Sequence, residues 1–474
     1  MASRSYFNDT IAAIATGLGQ AGIGIVRISG PDALLLADKI FVSRERGRPS
    51  DFRAYTTHYG WIVESLQLTS QNSKSRPPQE FIDEVILTIM RAPRSYTKED
   101  VVEINCHGGI VALRRTLDLV LENGARLANP GEFTKRAFLN GRIDLAQAEA
   151  VLDIIKAKSD SALKVATAQL KGLLSRQIDK IREIVLGALS VLEANIDFPE
   201  EEIGEANFEE VPRSLKQANA ALKDLLGQAK RGKIFREGVK AVICGRPNVG
   251  KSSLLNALIQ EERSIVTSVP GTTRDTIEEI IDIKGIPIRI VDTAGIIEPR
   301  DLVEKKAVRR SKKYIDQADL AILLFDGNSR LSPQDEILIK KLKNKTTIAV
   351  INKIDLRQKV EKERIVKSFG RAVEISAKKH KNIFMLEDEI ASLVTNGQLG
   401  ISEPVLLSNI RHITAVKEAQ KLVEEAQDSL DNSLSVEFVA QGIKDALLHL
   451  DGIVGRCFCE DLLDKIFGEF CIGK

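Results

Sequence analysis

Residues 245–252 read Gly-Arg-Pro-Asn-Val-Gly-Lys-Ser, a Gly-x4-Gly-Lys-Ser string. It lies between an apolar, strand-like run at 239–244 and a helix-like run at 253–259. That context is what a phosphate loop requires. Backbone N–H groups point at phosphates from a helix N-terminus, Lys251 reaches the terminal phosphates, and Ser252 supplies a hydroxyl for Mg²⁺. Further strings follow in a fixed order. Asp292, Thr293, Ala294 and Gly295 close the apolar run 286–291, where a carboxylate sits beside the metal. Asn352, Lys353, Ile354 and Asp355 close the run 347–351, with Asp355 placed to accept from guanine N1 and N2. Ser376, Ala377 and Lys378 close a later short strand. The spacing predicts an α/β nucleotide fold over 235–395 that binds and hydrolyses GTP. Its nucleotide contacts are expected at Asn248, Val249, Gly250, Lys251, Ser252 and Ser253, in the loop Thr267, Ser268, Val269, Pro270, Gly271, Thr272 and Thr273, and at the three later motifs.

A chain of 474 residues has room for about three domains. Hydrophobic residues make up 43%, enough for several cores, and no apolar run approaches the ~20 residues of a membrane span. The first ten residues are polar and lack the apolar core of a signal peptide, so a cytoplasmic protein without membrane association is expected. Five Cys, scattered apart from a group near residue 460, fit a reducing compartment. A net charge of +2 neither supports nor excludes a nucleic-acid partner, so any basic surface must be local.

Residues 1–125 alternate β-type runs (10–15, 23–29, 59–63, 85–90, 101–106) with turns, followed by a helical stretch at 110–122. A loop rich in Ser, Asn, Lys and Pro falls at 70–79. From Glu132 onward apolar residues recur at helical spacing to Leu192, then break at Asp197-Phe198-Pro199. A further helical segment is expected at 211–232, and helical periodicity returns after Gly400. The expected layout is multidomain. An α+β domain spans 1–125, an all-α domain is made of 126–234 and 396–474, and the α/β domain 235–395 is inserted into it. A linear array of modules is the alternative, disfavoured because neither helical block alone buries both of its faces.

The hydrolytic site lacks familiar parts. Ile296 follows Gly295 where Ras-like enzymes carry a water-orienting Gln. Arg274 is a candidate arginine finger, although a turn arginine beside Asp275 serves a structural role equally well. Thr273 is the expected second Mg²⁺ ligand. Glu298 and Glu304 could orient water, yet from chemistry alone each reads as a solvated charge.

The phosphate loop with its following Ser-Leu-Leu-Asn, the Gly-Thr-Thr-Arg-Asp string at 271–275, Pro-Gly-Glu-Phe-Thr-Lys-Arg-Ala-Phe-Leu-Asn-Gly at 130–141, Asp-Phe-Pro-Glu-Glu-Glu at 197–202 and Phe-Cys-Ile-Gly-Lys at 470–474 resemble the MnmE (TrmE) family of tRNA modification GTPases. The resemblance covers nearly the whole chain. It implies an N-terminal domain that dimerises and binds 5-formyl- or methylene-tetrahydrofolate through Arg27, Glu103, Arg142 and Lys474, with Cys471 as a catalytic thiol nearby. It also implies a partner, MnmG, that uses FAD and NADH. With it the family adds an aminomethyl or carboxymethylaminomethyl group at C5 of the tRNA wobble uridine. K⁺ ligands fall on Asn248, Thr267, Val269 and Thr272, and Mg²⁺ on Ser252 and Thr273. The water-orienting carboxylate falls on Glu304, with hydrolysis in a dimer of GTPase domains. The sequence departs from the family at Thr16-Gly17-Leu18-Gly19, where Pro-Pro is common, and at Arg142, where Lys also occurs.

Other features carry competing readings. His107 suits proton transfer or a satisfied strand end. Cys457, Cys459, Cys471 and His449 match no common Zn spacing. Basic pairs at 305–306, 309–310 and 312–313 suit tRNA or a solvated helix face. A ribosome-assembly GTPase shares the GTPase motifs but requires an RNA-binding Gly-x-x-Gly module after residue 395, where the pattern is helical. A folate aminomethyltransferase with a fused switch is the third class.

Overall fold

The computed structural model describes residues 8–64, 80–198, 205–261, 278–291, 314–395, 406–432 and 434–474. It divides into two units, residues 1–152 with 451–474 and residues 153–450.

The first unit is built on a seven-stranded sheet. Its strands are β1 (Ile11–Ile14), β2 (Ala21–Ser29), β3 (Phe41–Ser43), β4 (Thr56–Ile62), β5 (Asp83–Met90), β6 (Val101–Gly108) and β7 (Arg126–Leu127), in the order β3-β4-β5-β6-β2-β1-β7. All neighbours are antiparallel except β1 and β7. Strict alternation in β5 explains the sidedness: Val85, Leu87 and Ile89 are buried while Glu84 and Ile86 face out. Helices α1 (Ala33–Ile40) and α2 (Ile110–Glu122) cover the inner face, burying Leu34, Leu36 and Ile40 and Leu113, Leu119 and Val120. Gly24 permits this approach, since a Cβ there would meet Leu113 at 2.5 Å. The periodicity missed α1 because eight residues give only two turns and Leu34–Leu36 reads as a continuous apolar run.

Helix α3 (Glu132–Leu139) and α4 (Leu145–Lys156) form a second cluster with the helix Glu460–Phe467. Phe138, Leu145 and Leu152 pack there with Leu463, Phe467 and Phe470. Beneath α3 the fully buried Arg136 pairs with Asp9 (2.8 Å), Glu99 (3.3 Å) and Glu132 (2.9 Å). Arg126 joins at 2.6 Å from Glu132. Burial pushes the Glu132 carboxyl upward, but the Arg126 and Arg136 guanidiniums and the Asn129 N–H outweigh it and hold it below the usual range.

In the second unit α5 (Asp160–Leu170), α6 (Leu173–Asp197) and α7 (Glu205–Glu237) pack together, and the helix Ile410–Asp431 packs along α7. The break expected at Asp197 ends α6, while α7 runs longer than expected and carries Pro212 near its start. Gln169 of α5 donates to Leu406 O at 2.6 Å and to Ser408 Oγ at 3.1 Å. Gly232 of α7 lies so close to Leu407 O that a Cβ would fall 2.0 Å from it.

Between these helices in sequence lies a six-stranded sheet, ordered β13-β12-β11-β8-β10-β9. Its strands are β8 (Val239–Cys244), β9 (Glu278–Ile283), β10 (Ile286–Val291), β11 (Leu320–Asp326), β12 (Thr347–Asn352) and β13 (Ala372–Glu374). Only β9 is antiparallel to its neighbour. Parallel strands are covered on both faces, so β8, β11 and β12 read as continuous apolar runs. No described helix is long and apolar enough to cross a membrane.

Candidate functional site

The C-terminal ends of β8, β11, β12 and β13 converge where an open parallel sheet receives ligands. From β8 the chain enters the loop 245–250 and then α8 (Lys251–Glu261). Three positive φ angles shape this loop: Gly245 at 147°, Asn248 at 64° and Gly250 at 100°. Gly245 and Gly250 are further required by space. A Cβ at Gly245 would fall 2.6 Å from Leu324 O, and one at Gly250 would fall 2.3 Å from Asn352 Nδ2. Buried Lys251 turns its Nζ back onto Gly245 O (3.1 Å) and Arg246 O (3.0 Å), which holds an ammonium at the mouth of the loop. Ser252 and Ser253 are exposed at the start of α8, so their hydroxyls face outward beside the helix's free N–H groups.

The base-side motifs are wired to the phosphate loop. Asn352 donates from Nδ2 to Val249 O (2.9 Å) and accepts at Oδ1 from Ala377 N (3.0 Å). Lys353 spans from Asn248 O (2.8 Å) to Asp326 Oδ2 (2.7 Å). Ser376 Oγ donates to Asp355 Oδ1 at 2.6 Å, and this bond holds the Asp355 carboxyl below the usual range. The carboxylate is exposed and ionised, able to accept two N–H groups from a guanine edge. This donor set fits a guanine nucleotide with a divalent cation. The Asn248 carboxamide is exposed and makes no hydrogen bond to any described residue. Asp326 was not singled out from the sequence; its signal is its place at the end of an apolar run parallel to β8 and β12.

Thr267 to Thr273, Asp292 to Gly295, Arg274, Ile296, Glu298, Glu304 and the basic pairs at 305–313 lie outside the described residues, as does the expected loop 70–79.

The first unit holds a second constellation. Arg27 on β2 and Glu103 on β6 are cross-strand partners, and the Arg27 guanidinium pairs with Glu103 Oε1 at 2.8 Å. Arg27 also donates to Gly473 O at 3.3 Å. Its guanidinium lies over Tyr96 at 5.5 Å and over Phe133 at 5.6 Å. Arg142 lies over the same Tyr96 ring at 4.6 Å. The segment 471–474 reaches this place because α3 needs acceptors for its first N–H groups: Lys474 O accepts from Phe133 N (3.1 Å) and Thr134 N (3.4 Å), and Cys471 O from Gly131 N (3.4 Å). Gly473, at φ 96°, passes so close to β1 that a Cβ would fall 2.2 Å from Ile14 O.

The structure therefore brings together Arg27, Glu103, Arg142 and the backbone of Cys471 and Lys474. Cys471 is exposed, and Lys474 Nζ has no partner among the described residues. The Arg27 guanidinium is thus held by a carboxylate, a carbonyl and two aromatic rings. Tyr96, Phe133 and Gly473 were not picked out from sequence. Gly473 had a signal in its motif, whereas Tyr96 lies in an irregular loop and had none.

His107 pairs through Nδ1 with Asp83 Oδ1 at 2.6 Å, and this hydrogen bond raises its pKa. It is thus a satisfied strand-end histidine. Among the described residues no His, Cys, Asp and Glu group is arranged to hold a metal, and Cys457 and Cys459 are free and exposed.

Two family models match: the one described as GTP-binding protein TrmE N-terminus over residues 10–142, and the one described as MnmE helical domain over 145–471. The tRNA modification GTPase MnmE of Clostridioides difficile is 45% identical over 99% of this chain and 100% of its own length. That of Desulforamulus reducens is 44% identical over 98% and 100%, and that of Bacillus subtilis 42% over 98% and 100%. With both family models matched and full-length relatives 42–45% identical, the chain belongs to the MnmE family of tRNA modification GTPases.

Proposed function

We propose that this chain hydrolyses GTP to drive modification at C5 of the wobble uridine of tRNA. It takes a one-carbon unit from a tetrahydrofolate and acts as a homodimer with an MnmG-type partner that carries FAD and uses NADH. The observation that carries the reading is the placement of residues 471–474 against Arg27, more than 440 positions away in sequence. Arg27, held by Glu103 between Tyr96 and Phe133, would orient the folate. Arg142 and Lys474 would bind its carboxylates, and the Cys471 thiol would stand beside the transferred carbon. In the nucleotide site Lys251 and the α8 N-terminus bind phosphates, and Asp355 selects guanine. Ser252 with Thr273 would hold Mg²⁺, while Asn248 with Thr267, Val269 and Thr272 would hold K⁺. When bound, these ions offset the charge that develops between the β- and γ-phosphates. Glu304 is the group proposed to position water.

The test is mass spectrometry of wobble nucleosides from cells lacking the protein, complemented with wild type or with Arg27→Ala. The expected result is loss of C5-modified uridine, restored by wild type and not by the variant. Normal modification in the deletion strain would remove the reading, and rescue by Arg27→Ala would remove the folate site.

A further inference from the structure

The positive charge of the helical elements is segregated although the whole chain carries only +2. Within α5 the signs balance, one Lys against one Asp, and α6 holds three Lys and Arg against four acidic residues. Residues 211–237 of α7 hold seven Lys and Arg against two acidic residues. The helix packed along α7, Ile410–Asp431, reverses this, with three Lys and Arg against five acidic residues. Solubility alone favours interspersed signs, so this basic excess along α7 calls for a partner.

Geometry sharpens the point. Lys216, Lys223 and Lys230 repeat at seven-residue intervals on the exposed side of α7, opposite the buried Leu215, Leu222, Leu225 and Ala229. Seven residues of helix advance about 10.5 Å, which places three ammonium groups in a row over two such steps. Ala220 and Gly227 lie between them, so nothing bulky screens the row. Lys164 on α5, Lys171 just past its end and Lys180 on α6 are exposed likewise. None of these lysines has an ion-pair or hydrogen-bond partner for its Nζ among the described residues. No aromatic among the described side chains of α7 is exposed, because Phe235 is buried. Protein interfaces are anchored by buried aromatic or aliphatic side chains, which α7 does not offer. A row of solvated ammonium groups instead suits phosphates, where counterion release supplies the affinity and no base is read.

We infer that the exposed face of α7 carrying Lys216, Lys223 and Lys230 is an RNA-backbone docking surface, which under the proposed function receives the tRNA without reading its sequence. This rests on the tRNA reading for the identity of the RNA. The experiment measures binding of the full-length protein to two unmodified tRNA transcripts with unrelated anticodons, by filter retention between 50 and 200 mM KCl. Neutralising each lysine should lower the slope of log K against log salt by about one. The triple variant Lys216→Gln, Lys223→Gln, Lys230→Gln should therefore lose about three units of slope and bind both tRNAs roughly tenfold or more weakly. GTP hydrolysis and thermal unfolding should match wild type. The charge-matched control Lys417→Gln, Lys421→Gln, Lys444→Gln should bind as wild type does. An unchanged slope in the first variant, equal losses in both, or no tRNA binding by wild type would overturn the surface. Wobble-nucleoside analysis of the deletion strain reports separately on the function. Intact modification with a lowered slope removes the function and leaves the surface standing.

Discussion

Asn352 shows how one side chain can serve two sites. Its amide joins Val249 O of the phosphate loop to Ala377 N of the base loop, so base recognition and phosphate binding share a buried strut. Neighbouring Asp355 is the proposed guanine acceptor. Replacing it with Asn substitutes a donor for one acceptor oxygen facing the guanine N1 and N2 groups. Asp355→Asn should bind GTP ~10²-fold more weakly, since an ionic hydrogen bond is lost and an amide donor is set against a guanine donor. It should gain affinity for xanthosine triphosphate. Titration with the two nucleotides decides this, and undiminished GTP preference would rule out Asp355 as the guanine acceptor. The motif was readable from sequence because chemistry dictates residue types at fixed spacing. The strut was not, because it depends on how two loops meet in space.

At the scale of elements, α3 is fixed from below by Arg136 and at its N-terminus by Lys474 O. Removing one partner of a buried charge network leaves the others unpaired, at roughly 3–5 kcal/mol. Arg136→Met should therefore lower the denaturation midpoint by that equivalent, checked by urea unfolding. The network also makes the fold acid-sensitive. Glu132 is held below its ordinary value, so its contribution is present above about pH 4.5 and lost as pH falls through the folded value. In Glu132→Gln the fall in melting temperature from about pH 5 to pH 3 should be shallower than in wild type. An equally steep fall would assign the acid sensitivity elsewhere. Elements with strong periodicity, such as α2 and β5, were legible from sequence. The short α1 and β7 were not, because their placement is decided by tertiary packing and by pairing with β1.

Across the whole molecule, the order of strands and helices followed from the runs of apolar residues. The joining of positions 27, 103 and 142 with the segment 471–474 was expected only through the family resemblance, since no local pattern encodes contacts hundreds of residues apart. The proposed catalysis makes a prediction at this scale too. With isoleucine at position 296 and no cis arginine assigned, K⁺ held at Asn248 would replace an arginine finger, an effect worth up to ~10³–10⁵ in rate. Steady-state GTP hydrolysis should be faster in KCl than in NaCl at equal ionic strength, and Asn248→Ala should erase the difference. Equal wild-type rates would return attention to Arg274.

The clasp of Gln169 and Gly232 around residues 406–408 has a consequence for biosynthesis. Its halves are separated by 237 residues of chain. At ~5–20 residues per second, a ribosome takes roughly 12–50 s to deliver the second half after the first. Until then α5, and once made α7, wait with a polar amide and a glycine notch uncovered, while the sheet encoded after α7 can already close on its own core. The nascent helices are therefore the stage most exposed to chaperones and proteases, and the segment 406–408 is the latch on α5 and α7.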